Sequence, residues 1–445
     1  MAGLQAGWSR RDITPRPGIH MGGYWGRRSG ATSIHDPLYA RLVAWSDDRG
    51  AAVLISLDLI ALTPQRVQQI RGGVHAAFPD TVPQAIMVCC THTHAGPLTI
   101  PFRGMGDVDE GYLDQVCAAV DECAAEAAAS LSEAQLGYAR ATVQIGINRR
   151  QVRSGDIVIG ENPEGPVAPH AHVVTLDTAR GRAILFQHAC HPVVLGNANH
   201  DISADFPGPA CAAVEAATSA FAMYVNGAAG DINPRHATST FDDVERLGNA
   251  LGNAVVSAAA TAQPLASTGM AWGSVRLALP LLDAPSVVRA SSVACLRGLQ
   301  WLQAVLRSPR DEWARRVPRA YLQWSLACLQ AACGARTAAT RPFEIQGLRI
   351  GELTWLGLEG EIFVRYQLDV EAAHTEPVIL CGFANGCIGY VPTADEYERG
   401  GYEVDIAYKV YPSTLMIAPE SDRLIRQGIV DLLRILAQPY TVTAP

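Results

Sequence analysis

The sequence predicts a mixed α/β fold in which one or more central sheets, parallel in part, are layered between helices, with a helical insertion. Three observations carry this expectation. Apolar, β-rich runs recur along the chain and are mostly continuous rather than alternating, as strands buried on both faces are. Ala-rich, helix-like stretches closed by Gly, Pro or polar turns separate them. From residue 291 to 338 the composition shifts to Leu, Ala, Trp and Arg.

In chain order, a strand is expected at Ala51–Leu57, a helix at Pro64–Phe78, a strand at Ala85–Cys90 and a helix at Leu113–Ser132. Strands at Val173–Leu176 and Ala183–Phe186 precede a helix at Gly208–Ser219, a strand at Phe221–Val225 and a helix at Val244–Ala260. The 291–338 segment has Leu296, Leu299, Leu302 and Leu306 at helical spacing, punctuated by Pro309 and Pro318, and reads as a helical insertion. Its candidate roles are a lid, a dimer surface that would make the chain a homo-oligomer, or plain scaffold, with scaffold the default for an amphipathic helix. Strands at Leu353–Leu358 and Val378–Cys381 complete the pattern. No internal repeat or low-complexity linker is visible, so residues 1–445 are expected to form a single domain, with functional residues at strand ends and in the loops beyond.

The bulk numbers exclude several classes. With 445 residues, 49% hydrophobic and 18% charged, the chain can bury a large core. Every apolar run is interrupted before the roughly 18 residues that a membrane-spanning helix needs. A net charge of −8 removes the electrostatic drive for nucleic-acid binding. The start of the chain lacks a secretory pattern, and eleven Cys with a pair, Cys89-Cys90, inside apolar text fit a reducing, cytoplasmic compartment. Without any C-x-x-C pair, a metal would have to use His and oxygen ligands.

Two strand ends carry histidines. Thr91-His92-Thr93-His94-Ala95-Gly96-Pro97 follows one apolar strand, and residues i and i+2 of an extended chain share a side. His188-Ala189-Cys190-His191-Pro192 follows another. Separate segments converge at strand ends, so a metal site built from some His of each is the reading favoured over polar strand-end residues. Which His of each pair binds is left open by spacing. Glu359-Gly360-Glu361 offers a ligand or base, though a solvated turn is the ordinary reading of such a word. Tyr390 and Tyr402 are flanked by glycines, and turn punctuation is the bland reading for both. The stretch from Asn226 to Pro234 could offer backbone amides to an oxyanion or phosphate, but lacks the Lys and Ser/Thr of a P-loop. Met21-Gly22-Gly23-Tyr24 is glycine-rich with no expected strand before it, and no Gly-x-Ser-x-Gly elbow occurs.

Taken in order, these words resemble the catalytic domain of the neutral/alkaline, non-lysosomal ceramidase family. The resemblance runs through Asp12-Ile13-Thr14-Pro15, Met21-Gly22-Gly23-Tyr24, His35-Asp36-Pro37-Leu38-Tyr39-Ala40-Arg41, Ser56-Leu57-Asp58-Leu59 and the His92/His94 word. It continues through Asn148-Arg149, His191-Pro192, Ser203-Ala204-Asp205, Gly230-Asp231-Ile232-Asn233-Pro234, Glu361, Tyr390-Val391-Pro392-Thr393 and Tyr402-Glu403.

The resemblance implies one zinc ion held by His92, His191, Glu361 and Tyr390, with His94, Arg149 and Tyr402 as catalytic groups facing the substrate amide and the attacking water. It implies a hydrolase that cleaves the C–N bond of a small or lipid-like amide with a metal-activated water. Asp58, Asp205 and Asp231 resemble acidic positions suited to fixing the tautomer of a zinc histidine, or to structural roles. The chain departs from the family at Asn233, where ceramidases have Ser, at Arg235, at Glu359, and in lacking the C-terminal immunoglobulin-like domain. These departures count against ceramide itself as the substrate. Alternative readings are an esterase or lactonase using the same metal, and a non-catalytic metal- or ligand-binding relative.

Overall fold

The computed structural model describes residues 3–266, 269–334 and 339–438. Two sheets pack face to face and helices cover both outer faces, giving four layers, α, β, β, α. The larger sheet runs, in spatial order, Phe221–Asn226, Gly181–His188, His170–Thr178, Ser132–Thr142, Gln5–Asp12, Tyr39–Asp47, Gly50–Leu57, Ile86–Cys90. Only its two outermost pairs are parallel. The sheet curls so that its edges meet: Ser56 Oγ donates to the Tyr224 carbonyl at 2.6 Å, and Asn226 Nδ2 to the Thr91 carbonyl at 2.9 Å. The second sheet runs Met270–Pro280, Thr340–Ile350, Leu353–Leu358, Val378–Cys381, with its last pair parallel.

Strand alternation sorts the core. One face of the larger sheet, with Leu42, Ile55, Val88 and Phe186, packs on the helices Pro64–Ala77, Glu110–Ala129, Pro207–Thr218 and Phe241–Ala259. The opposite face, with Val43, Leu54, Met87 and Leu185, meets Leu348, Leu353 and Ile379 of the second sheet. Each such apolar side chain taken fully from water contributes about 1.5–3 kcal/mol. The outer face of the second sheet, with Phe343, Leu356 and Leu380, lies under Val364–Ala373 and Glu420–Ala437.

Each expected strand is present; those at Val173–Leu176 and Ala183–Phe186 extend further at both ends, as His170–Thr178 and Gly181–His188, and the others agree to within one residue. Three expected helices begin earlier because a polar side chain or a proline starts them: Asp109 accepts from the Tyr112 amide, Thr240 from that of Asp243, and Pro207 occupies the first turn. The long antiparallel strands Gln5–Asp12, Ser132–Thr142 and Thr340–Ile350 were not expected, since Arg, Glu and Gln interrupt their apolar text. Gln5–Asp12 also places a strand upstream of the Met21 word, which was read as having none. The segment 291–338 belongs to a pair of helices, Val287–Arg307 and Glu312–Ala332, so it starts sooner than composition suggested and Pro318 lies inside the second helix instead of ending it. Residues 335–338 of that segment lie outside the described residues. Among the described residues no helix is long and apolar enough to cross a membrane.

Candidate functional site

At the carboxyl ends of Ile86–Cys90, Gly181–His188, Phe221–Asn226 and Leu353–Leu358 the chain turns into loops that close over one buried cluster. His92, His94 and His191 have ring nitrogens within 4.8 Å of one another. The reason differs from the one spacing suggested. Thr91–Gly96 is not extended, and His92 has φ of 69°, so the two imidazoles meet through a left-handed kink, with Nε2 of His94 3.1 Å from Nε2 of His92. Phe383, also at positive φ, stacks on the His92 ring with centroids 3.9 Å apart.

The outer ring nitrogens fix the tautomers. Nδ1 of His92 lies 2.6 Å from the Ile60 carbonyl oxygen, and Nδ1 of His191 lies 2.5 Å from that of Ala229. A carbonyl only accepts, so each Nδ1 carries the proton and each Nε2 presents a lone pair. Both lone pairs face Oε2 of Glu361, which is 2.9 Å from His191 and 3.7 Å from His92. Doubly protonating a ring is no remedy, because burial lowers the His92 pKa to about 3 and holds His94 well below the usual range. Burial alone would raise Glu361, yet its neighbours, with the Arg149 guanidinium the permanent positive charge among them, pull it to about 2. Bare nitrogens around an ionised carboxylate form a donor set that fits a cation.

Glu361 is thus no solvated turn; it is 2% exposed and starts the short strand Glu361–Ile362, which pairs in parallel with Tyr390–Val391. Gly360 before it has φ of 133°, and a Cβ there would stand 2.6 Å from the Gly389 carbonyl oxygen, so glycine is required where the two strands close up. The other carboxylate oxygen of Glu361 accepts from the Tyr411 hydroxyl. Tyr390 is 6% exposed, with its ring 6.5 Å from that of His191 and 5.9 Å from that of Tyr402. The Arg149 guanidinium lies over both, 5.2 Å from Tyr390 and 5.9 Å from Tyr402. Burial keeps both phenols protonated, Tyr402 with a pKa pushed up to about 12.

Arg149 is held by Nε to Glu403 Oε1 at 2.8 Å and by Nη1 to Asn233 Oδ1 at 3.1 Å. Its Nη2 is buried without a partner, as is Nδ1 of His94. All seven residues singled out in the sequence therefore surround one space. His188 does not join them: its Nδ1 turns to the His170 carbonyl oxygen at 2.8 Å.

Two readings of the sequence are narrowed. Carbonyls orient His92 and His191, so of the two roles open to Asp58, Asp205 and Asp231 the structural one remains: Asp58 pairs with Arg41 at 2.8 Å, Asp205 accepts from the Phe206 amide, and Asp231 accepts from the Val364 amide and from Asn148 Nδ2. The Asn226–Pro234 stretch has no spare amides at its glycines, because Gly227 donates to the His188 carbonyl and Gly230 to that of Ile362. Sequence did not single out Tyr411, which carries no glycine or histidine signal. Arg27 was also passed over, although its Nη2 holds the His94 carbonyl.

Fold and donor set define an α/β protein with a buried His/Glu pocket of metal-binding type at the ends of its strands. The particular likeness is to neutral ceramidase. The chain is similar over 100% of its length to 76% of neutral ceramidase from Pseudomonas aeruginosa, with a TM-score of 0.73 and 19% identity. It is likewise similar, over 100% of its length, to 77% of a ceramidase complexed with C2, with a TM-score of 0.72 and 18% identity. No family model and no curated protein matches the chain.

Proposed function

We propose that this chain is a ceramidase-like, zinc-dependent hydrolase that cleaves the amide (C–N) bond of a small or lipid-like substrate. The observation that carries the proposal is the pair of unprotonated Nε2 atoms of His92 and His191 facing one oxygen of Glu361. The shared fold with proteins described as ceramidases supports the choice of amide as the linkage. In this reading His92, His191, Glu361 and Tyr390 hold one zinc ion, and Tyr411 fixes Glu361 from behind. When bound, zinc polarises a carbonyl and lowers the pKa of a water molecule to about 7.

The chain's own residues supply orientation and charge. As the amide carbon becomes tetrahedral its oxygen gains negative charge, and the unpartnered Nη2 of Arg149 together with the protonated Tyr402 hydroxyl are donors for it. Glu403 and Asn233 hold the guanidinium in place, so little reorganisation is needed. His94, uncharged and wedged between Tyr24 and His92, faces the same space, where it would take the proton that the attacking water gives up and pass it to the leaving amine. The helix Glu312–Ala332 packs on this side of the molecule, with Tyr321 against Trp25 at 5.0 Å and within electrostatic reach of Tyr402, and Arg316 donating to the Met105 carbonyl, so in this reading it contributes to substrate selection.

The test pairs zinc content with kcat/KM on matched amides and esters. His92→Ala and His191→Ala should lose metal and turnover together. Full activity in either metal-free variant refutes the proposal, and a preference for the ester series moves the assignment to an esterase.

A further inference from the structure

A second constellation of metal-ligand chemistry lies away from this pocket and shares no residue with it. His170 and His172 occupy the strand His170–Thr178, where alternation does put residues i and i+2 on one face. That face looks at the helix Val364–Ala373, from whose last turn Glu371 reaches back. Nε2 of His172 is 2.9 Å from one carboxylate oxygen, and Nε2 of His170 is 3.0 Å from the other. One candidate ligand atom from each of the three residues lies within 4.8 Å of the others.

The hydrogen bonds around this group do not close. Nε2 of His170 is also 2.8 Å from Nη2 of Arg140, which only donates, while Glu371 only accepts. One imidazole nitrogen cannot serve both, since it has either a lone pair or a hydrogen. On the far side of His172, Nδ1 meets the Tyr138 hydroxyl at 2.8 Å, the kind of outer partner that orients a ligating imidazole. Gln367 Nε2 donates to Glu371 at 2.8 Å and steadies the carboxylate. His172 and Glu371 are nearly buried, whereas Arg140, which pairs with Glu371, is 47% exposed and free to swing outward.

We propose that His170, His172 and Glu371 form a second site for a zinc-class divalent cation, with Arg140 as the counter-ion that the metal displaces. Three protein donors of the His₂Glu type leave one position for water at the partly exposed His170 side. The cation would join the larger sheet to the helix that begins three residues after Glu361, which gives the site a structural role beside the pocket.

The test uses the full chain, loaded with Zn²⁺ and dialysed, with metal counted by elemental analysis and affinity read by titration calorimetry. Glu371→Gln should lose one equivalent relative to the parent chain, and His92→Ala should lose a different one, so the double variant loses both. Failure of the first site alone would show as a single equivalent that depends on Glu371 and not on His92. Arg140→Ala, on a half-exposed side chain, leaves the fold intact and should tighten this site by about tenfold or more, because a positive charge is removed from beside the cation. If Glu371→Gln fails to fold, the Arg140→Ala titration decides alone. Unchanged stoichiometry in folded Glu371→Gln, or unchanged affinity in Arg140→Ala, overturns the proposal and leaves an ion-pair cluster.

Discussion

Asn233 Oδ1 accepts a hydrogen bond from Nη1 of Arg149 at 3.1 Å, so the residue that stands where the resembled family has serine helps to aim the guanidinium. Glu403 takes Nε of the same group, and Nη2 is left unpartnered. Asn233→Ala should therefore keep its metal and lower kcat by about tenfold, the worth of one hydrogen bond to a charged group at the low end. Asn233→Ser should fall between. Steady-state kinetics with parallel zinc analysis checks this, and unchanged kcat in the Ala variant counts against the role.

His94 and Tyr390 make opposite predictions. With Tyr390 as a ligand and His94 as a proton-handling group, Tyr390→Phe should weaken zinc retention under a chelator, while His94→Ala should retain zinc and lose turnover by about 10²–10⁴-fold. Loss of zinc from His94→Ala would instead make the imidazole at 3.1 Å from His92 a ligand.

Gly23 has φ of 95°, and a Cβ there would lie 2.4 Å from Nδ1 of His94. Gly23→Ala should push the imidazole out of position and strain the backbone at once. The expected outcome is a folded chain, by circular dichroism, whose kcat falls far more than its melting temperature.

Asp205 provides a pH signature. Burial raises its pKa to about 7 against the opposing amides of Phe206, Leu195 and Val194. A carboxyl whose folded pKa lies above its unfolded one favours folding while protonated, so stability is highest below about pH 4 on this account and declines as pH rises to about 7. At ~1.4 kcal/mol per pH unit this amounts to a few kcal/mol. Asp205→Asn removes the titrating group and suits the residue's φ of 58°. Urea midpoints at pH 5 and pH 8 should differ less in the variant than in the parent.

Much of the layered architecture was legible in the sequence because buried strands and Ala-rich helices write their burial locally: Ile86–Cys90 is apolar at each position, Leu353–Leu358 is interrupted only by Thr354, and both are buried throughout. The strands that escaped, such as Ser132–Thr142 and Thr340–Ile350, carry half-polar text that only their antiparallel neighbours explain. The two histidine words were also legible from their place at strand ends, whereas Glu361, Tyr390 and Tyr402 came forward only through the family resemblance, since a turn accounts for each of them locally.

What the sequence determined by itself was which residue types stand at the ends of which strands. Only the tertiary structure decided their geometry, and it did so against local expectation. The His-x-His word at 92 and 94 converges through a positive-φ kink, while the same word at 170 and 172 sits on a regular strand against a glutamate from a helix 199 residues away from His172. The physical reason is that a lone pair acquires its partner from across the fold. The Ile60 and Ala229 carbonyls set the tautomers of His92 and His191 through contacts that no local pattern encodes.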